Sequence, residues 1–102
     1  MEKIKVIIAD DEFPARNELS YLLNNFENIK LVGQAENGLQ ALELIKEEGP
    51  DLVFLDIEMP GKNGLEVAEE IQRLEINLFI VFITAYDEYA LKAFEVNAID
   101  YL

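Results

Sequence analysis

Asp56 closes a short apolar run, Leu52-Val53-Phe54-Leu55, and is followed by Ile57-Glu58-Met59-Pro60-Gly61. Two other apolar runs end in polar groups: Ile4 to Ala9 leads into Asp10-Asp11, and Leu78 to Ile83 leads into Thr84. Crowded carboxylates disfavour one another's ionisation, and a bound cation reverses that logic. Magnesium takes oxygen ligands and keeps several waters, so a few carboxylates with open coordination positions can present it to a phosphate. A carboxylate beside that metal can itself be the nucleophile and form an aspartyl phosphate. Such a transfer needs mostly positioning and charge neutralisation. Asp56, alone at its strand end, is the candidate nucleophile. Asp10 and Asp11 are candidate metal support, and Thr84 could donate its hydroxyl to a phosphoryl oxygen.

Each residue also has a blander reading. An aspartate at a strand end often makes a turn or a helix cap. Asp10-Asp11 stand before a Pro-initiated helix, where acids favour the N-terminus. Thr84 suits a strand by its β-branch, and Tyr101 suits core or rim packing. Glu58, Glu66, Glu69, Glu70 and Glu47-Glu48 read as solvated surface. The joint placement of four suitable residue types at one sheet edge favours the site.

The elements that must position these groups alternate along the chain. Ile4 to Ala9 reads as a strand, and Pro14 sits just inside a helix, where its missing N–H costs nothing. Ala15, Leu19, Leu22, Leu23 and Phe26 recur at helical spacing. Lys30 to Ala35 reads as a second strand. Asn37-Gly38 opens a helix with Leu39, Leu42 and Ile45 on one face, which Gly49-Pro50 stops. Leu52 to Leu55 is the third strand, and Asn63 can cap a helix carrying Leu65, Ala68 and Ile71. Leu78 to Ile83 is apolar at every position, as in a parallel sheet covered on both faces. Asp87 can cap a fourth helix with Ala90, Ala93 and Phe94 inward, and Ala98 to Leu102 begins a fifth strand. This alternation predicts one doubly wound α/β domain over residues 1–102. In open sheets of that kind, ligands bind beyond the carboxyl ends of the strands.

Composition narrows the chemistry. The 102 residues suffice for one small domain. A formal net charge of -13, from 21 acidic and 8 basic residues, repels nucleic-acid phosphates and anionic membranes. Direct nucleic-acid binding is therefore not expected. The chain has no cysteine and no histidine, which removes thiolate sites and the commonest zinc ligand. Any metal must be held by oxygen. No apolar stretch approaches the roughly 20 residues that span a bilayer, and no cleavable leader is evident, so a cytoplasmic location is expected.

These residues carry a resemblance. Ala9-Asp10-Asp11-Glu12, Leu55-Asp56-Ile57-Glu58-Met59-Pro60-Gly61 with Gly64, Ile83-Thr84-Ala85 and Asp100-Tyr101 together resemble the receiver domain of two-component response regulators. The stretch from Thr84 to Phe94 is similar to the subgroup whose output is a LytTR-type DNA-binding domain. The resemblance implies a flavodoxin-like three-layer sandwich with a five-stranded parallel sheet of order 2-1-3-4-5. It implies that Asp56 accepts a phosphoryl group from a phosphohistidine on a sensor histidine kinase. Mg2+ would be held by Asp10, Asp11, Asp56 and the backbone carbonyl of Glu58. Thr84, Ala85 and Tyr101 would form the phosphoryl-sensing switch, and an output domain outside this chain would control transcription. Such a receiver is no enzyme beyond its own phosphorylation and dephosphorylation.

One departure stands out. The family places a lysine followed by proline three residues after the switch aromatic, whereas Leu102 ends the chain one residue after Tyr101. The domain is therefore expected to lack the active-site lysine, the end of the fifth strand and the last helix. Self-association is expected through the sheet face left uncovered, since contiguous exposed apolar area marks association. Two other function classes compete. Haloacid-dehalogenase-like phosphatases use Asp-x-Asp after the first strand, but here the pair is contiguous. A flavodoxin-like cofactor binder needs a phosphate loop rich in Ser, Thr and Gly, but here the loop is Asp-Asp-Glu-Phe-Pro.

Overall fold

A computed structural model describes residues 3–83 and the backbone of residues 100–101. Five parallel strands form one sheet in the order β2-β1-β3-β4-β5. They are β1 (Ile4–Ala9), β2 (Ile29–Ala35), β3 (Leu52–Asp56), β4 (Phe79–Ile83) and β5 (Asp100–Tyr101). Among the described residues three helices lie between them: α1 (Phe13–Leu23), α2 (Gly38–Glu48) and α3 (Gly64–Arg73). The expected sheet order is the one observed. The expected fourth helix, with Asp87, Ala90, Ala93 and Phe94, lies outside the described residues, as do Thr84 and Ala85.

The apolar strands are explained by burial on both faces. Successive side chains of a strand point to opposite sides. Val6 and Ile8 of β1 pack with Leu23 of α1 on one face. Ile7 and Ala9 join Val53, Leu55, Ile80, Phe82 and the inner faces of α2 and α3 on the other. Among the described residues, the lone polar residue with a buried side chain is Asp10, at 8% exposure.

Local chemistry sets the helix ends. Pro14 stands in the first turn of α1. The Asn37 side chain accepts from the Gln40 amide at 2.8 Å, and Gly49 ends α2 in the left-handed region at φ 56. Asn63 and Glu66 form a reciprocal capping box at α3: the Asn63 side chain accepts from the Glu66 amide at 2.9 Å, and the Glu66 carboxylate accepts from the Asn63 amide at 3.0 Å. Glu66, read from sequence as surface, therefore helps to start α3.

Several expectations are corrected. Leu39 is 60% exposed. The buried residues of α2 are Gly38, Ala41, Leu42 and Ile45. At about 100° per residue these span one arc, and Leu39 falls outside it. α1 ends at Leu23, so Phe26 lies beyond it and is exposed, and Leu22 also faces solvent. Phe79 is 58% exposed at the start of β4, although Ile80, Val81 and Phe82 are buried. Among the described residues no helix is long and apolar enough to cross a membrane.

Candidate functional site

Strand register brings the acids together. Ala9 of β1 pairs with Leu55 of β3, and each is followed by an aspartate. Adjacent strands lie about 4.8 Å apart, so Asp10 and Asp56 emerge side by side at the carboxyl edge of the sheet. One carboxylate oxygen each from Asp10, Asp11 and Asp56 lies within 4.8 Å of the other two. Asp10 is buried, Asp56 half-buried and Asp11 exposed. The cluster therefore has a floor, a middle and an open side.

Backbone amides hold two of these carboxylates. The Glu12 amide donates to Asp10 Oδ1 at 2.9 Å. The Glu58 amide donates to Asp56 Oδ1 at 3.2 Å. The turn reading holds alongside the clustering, since Asp10 and Asp56 each accept from the amide two residues on. Asp10-Asp11 do not cap α1, whose N-cap is Glu12 with no side-chain cap hydrogen bond. The Asp10 amide itself donates to the Ala35 carbonyl at 3.0 Å, which ties the residue to β2. Beyond Asp56, the Gly64 amide donates to the Ile57 carbonyl at 2.9 Å and closes the β3–α3 loop.

Electrostatics mark Asp56 out. Burial pushes its carboxyl from 3.8 up to about 7. The neighbouring charge of Asp10 adds to the rise, as do the charge of Asp11 and a hydrogen bond with the Asp10 side chain, while the Glu58 amide works the other way. An oxygen-only donor set, drawn together against its own repulsion, fits a hard divalent cation such as magnesium. A cation would relieve the like-charge strain that raises Asp56.

Of the residues singled out from sequence, Asp10, Asp11 and Asp56 meet here, with Glu58 on the adjoining loop. Tyr101 lies in β5 with its backbone paired to Phe82; Thr84 and Ala85 lie outside the described residues. Sequence reasoning missed Arg16, whose Nη1 donates to the Asp10 carbonyl at 2.7 Å. The signal available was its spacing: Arg16 shares the inward side of α1 with Ala15, Leu19 and Leu23.

Comparisons with known proteins bear on the domain as a whole. The family model of the response regulator receiver domain matches residues 6–102. The sensory transduction protein LytT of Bacillus subtilis is 46% identical over 99 residues, which cover 97% of this chain and 41% of that protein. The receiver domain of the response regulator NarL from Mycobacterium tuberculosis superposes with a TM-score of 0.95 at 33% identity, covering 100% of this chain and 84% of that one. The response regulatory domain of MrkE from Klebsiella pneumoniae gives a TM-score of 0.88 at 43% identity, covering 96% and 80%. The chain spans about two fifths of the length of its LytT relative. The haloacid-dehalogenase-like alternative finds no support in these matches. By its sequence, its sheet order and its matches, the chain belongs to the response regulator receiver domain family.

Proposed function

We propose that Asp56 is the phospho-acceptor of this receiver and that Asp10, Asp11, Asp56 and the Glu58 carbonyl hold Mg2+. The observation that carries this reading is the meeting of three carboxylates at one sheet edge, with Asp56 the raised member. The donor is a phosphohistidine on a sensor histidine kinase. An Asp56 carboxylate oxygen attacks phosphorus and the P–N bond breaks. Its electron pair stays with the departing imidazole, which takes up a proton. The Glu58 amide donates to Asp56 Oδ1 and helps to orient the carboxylate. When bound, magnesium supplies positive charge to the phosphoryl oxygens.

Thr84, Ala85 and Tyr101 respond to the phosphoryl group and re-shape the surface around β4 and β5. The output is a LytTR-type DNA-binding domain outside this chain, acting in the cytoplasm, and the receiver itself touches no nucleic acid. The chain's catalysis is limited to its own phosphorylation and dephosphorylation. Self-association belongs to the same reading: Phe79 is exposed on the α1 side of the sheet, in register with Leu52, where only α1 packs among the described residues.

Incubation with magnesium and acetyl phosphate tests the proposal, with intact mass as the readout. One added phosphoryl group on the native chain, and none on Asp56→Asn, is the expected result. Equal labelling of the Asp56→Asn variant would overturn the assignment.

A further inference from the structure

We infer that Arg16 is a positioning residue that sets the peptide between Asp10 and Asp11, and through it the aim of the exposed ligand Asp11. This inference rests on the proposed metal site. It concerns a residue of α1 that no part of the phosphoryl-transfer scheme uses.

The geometry is local and specific. Sheet hydrogen bonding on β1 reaches as far as the Asp10 amide, which donates to Ala35. The next group along the chain is the Asp10 carbonyl, which is one rigid plane with the Asp11 amide. Arg16 Nη1 donates to that carbonyl at 2.7 Å. A charged donor at this distance makes a strong hydrogen bond. The guanidinium carbon lies 5.6 Å from the centre of the Phe13 ring, so the fork is also braced from one side. Arg16 is half-buried, and among the described residues it forms no ion pair.

Asp11 needs such help. Asp10 is anchored by its burial and by the Glu12 amide, and Asp56 by the Glu58 amide. Among the described residues, the Asp11 carboxylate has no hydrogen bond. Its direction therefore follows from its backbone, and Arg16 holds the plane from which that backbone leaves.

Charge and position predict opposite signs, which makes the role testable. Removing a cation close to three carboxylates strengthens their pull on Mg2+ by Coulomb's law. Losing a partner that orients a ligand weakens metal binding, commonly by about 10- to 100-fold. We expect Arg16→Met to weaken Mg2+ binding by about tenfold, measured by calorimetry and by metal-dependent amide shifts in NMR. In the metal-free protein, hydrogen exchange at the Asp11 and Glu12 amides should quicken in the same variant. Arg16→Lys keeps the charge but not the planar fork, and should fall between the two. A purely structural role would lower the melting temperature and leave the affinity of the folded protein unchanged. Mg2+ affinity at or above the native value in Arg16→Met overturns the inference. Should that variant fail to fold, Arg16→Lys decides: native affinity overturns the inference, and weaker affinity supports it. A native chain that binds no Mg2+ sinks the metal site and this inference together. A native chain that binds, with Arg16→Met binding equally well, sinks only the role of Arg16.

Discussion

Gly64 lies so close to Asp56 that a Cβ at position 64 would stand 2.3 Å from the Asp56 carbonyl oxygen. It would also stand 2.8 Å from the Ile57 Cα. Both obstacles are backbone, so neither can swing away. The first turn of α3 is thereby seated directly on the strand end that presents the candidate nucleophile. Gly64→Ala should destabilise the domain by about 2–3 kcal/mol, in the range of overpacked sites. Urea denaturation followed by circular dichroism measures it. Gly49, left-handed at φ 56 with open space around it, should cost about 1–2 kcal/mol as alanine, from its backbone conformation and not from any clash.

The Asp56 carboxyl gives a pH signature. Its folded value of about 7 lies above the unfolded 3.8, so the folded state binds the extra proton. Its contribution to stability is fully present below the unfolded value and is lost as pH rises through the folded one. Metal-free protein should therefore lose stability between about pH 4 and 7 through this group, by about 1–2 kcal/mol once solvent screening of a half-exposed carboxyl is allowed for. Asp56→Asn should flatten that slope. Thermal melts of both proteins in chelator across this range check it, and an unchanged slope in Asp56→Asn contradicts the assignment.

Magnesium should act on the same groups with the opposite sign, since a cation favours the ionised carboxylates. Addition at ten times the dissociation constant should stabilise the native chain by about 1.4 kcal/mol. Chelation should reverse the gain. Asp11→Asn, exposed and free of side-chain hydrogen bonds among the described residues, should lose most of that gain with little change in metal-free stability. Asp10→Asn should disturb both, because Asp10 is buried and accepts from the Glu12 amide.

The capping box at α3 offers a test of the loop that carries Glu58. Asn63→Ala removes the acceptor of the Glu66 amide and should cost about 1 kcal/mol. Denaturant titration reads the loss. Glu66→Ala should cost less, since it removes only the return bond to the Asn63 amide.

Much of this molecule could be read from runs of neighbouring residues. The bounds of β1 match the apolar run from Ile4 to Ala9, and Asn37, Asn63 and Gly49 mark helix ends where they were expected. Burial on two faces was legible in β4 for Ile80, Val81 and Phe82, but Phe79 projects into solvent at the strand's start. Leu39 was misplaced because an apolar residue near a helix start satisfies the spacing without lying on the buried arc.

By itself, then, the sequence determined the order of elements and the placing of Asp10, Asp11 and Asp56 at strand ends. Periodicity and turn chemistry act between near neighbours, and near neighbours are written side by side. Only the tertiary structure decided that the three carboxylates meet within 4.8 Å, that Asp56 is raised to about 7 and that Arg16 reaches the Asp10 carbonyl. Those facts depend on the β1–β3 register, on how deeply each carboxyl is buried and on how α1 docks. Each is set by contacts between segments far apart in the chain.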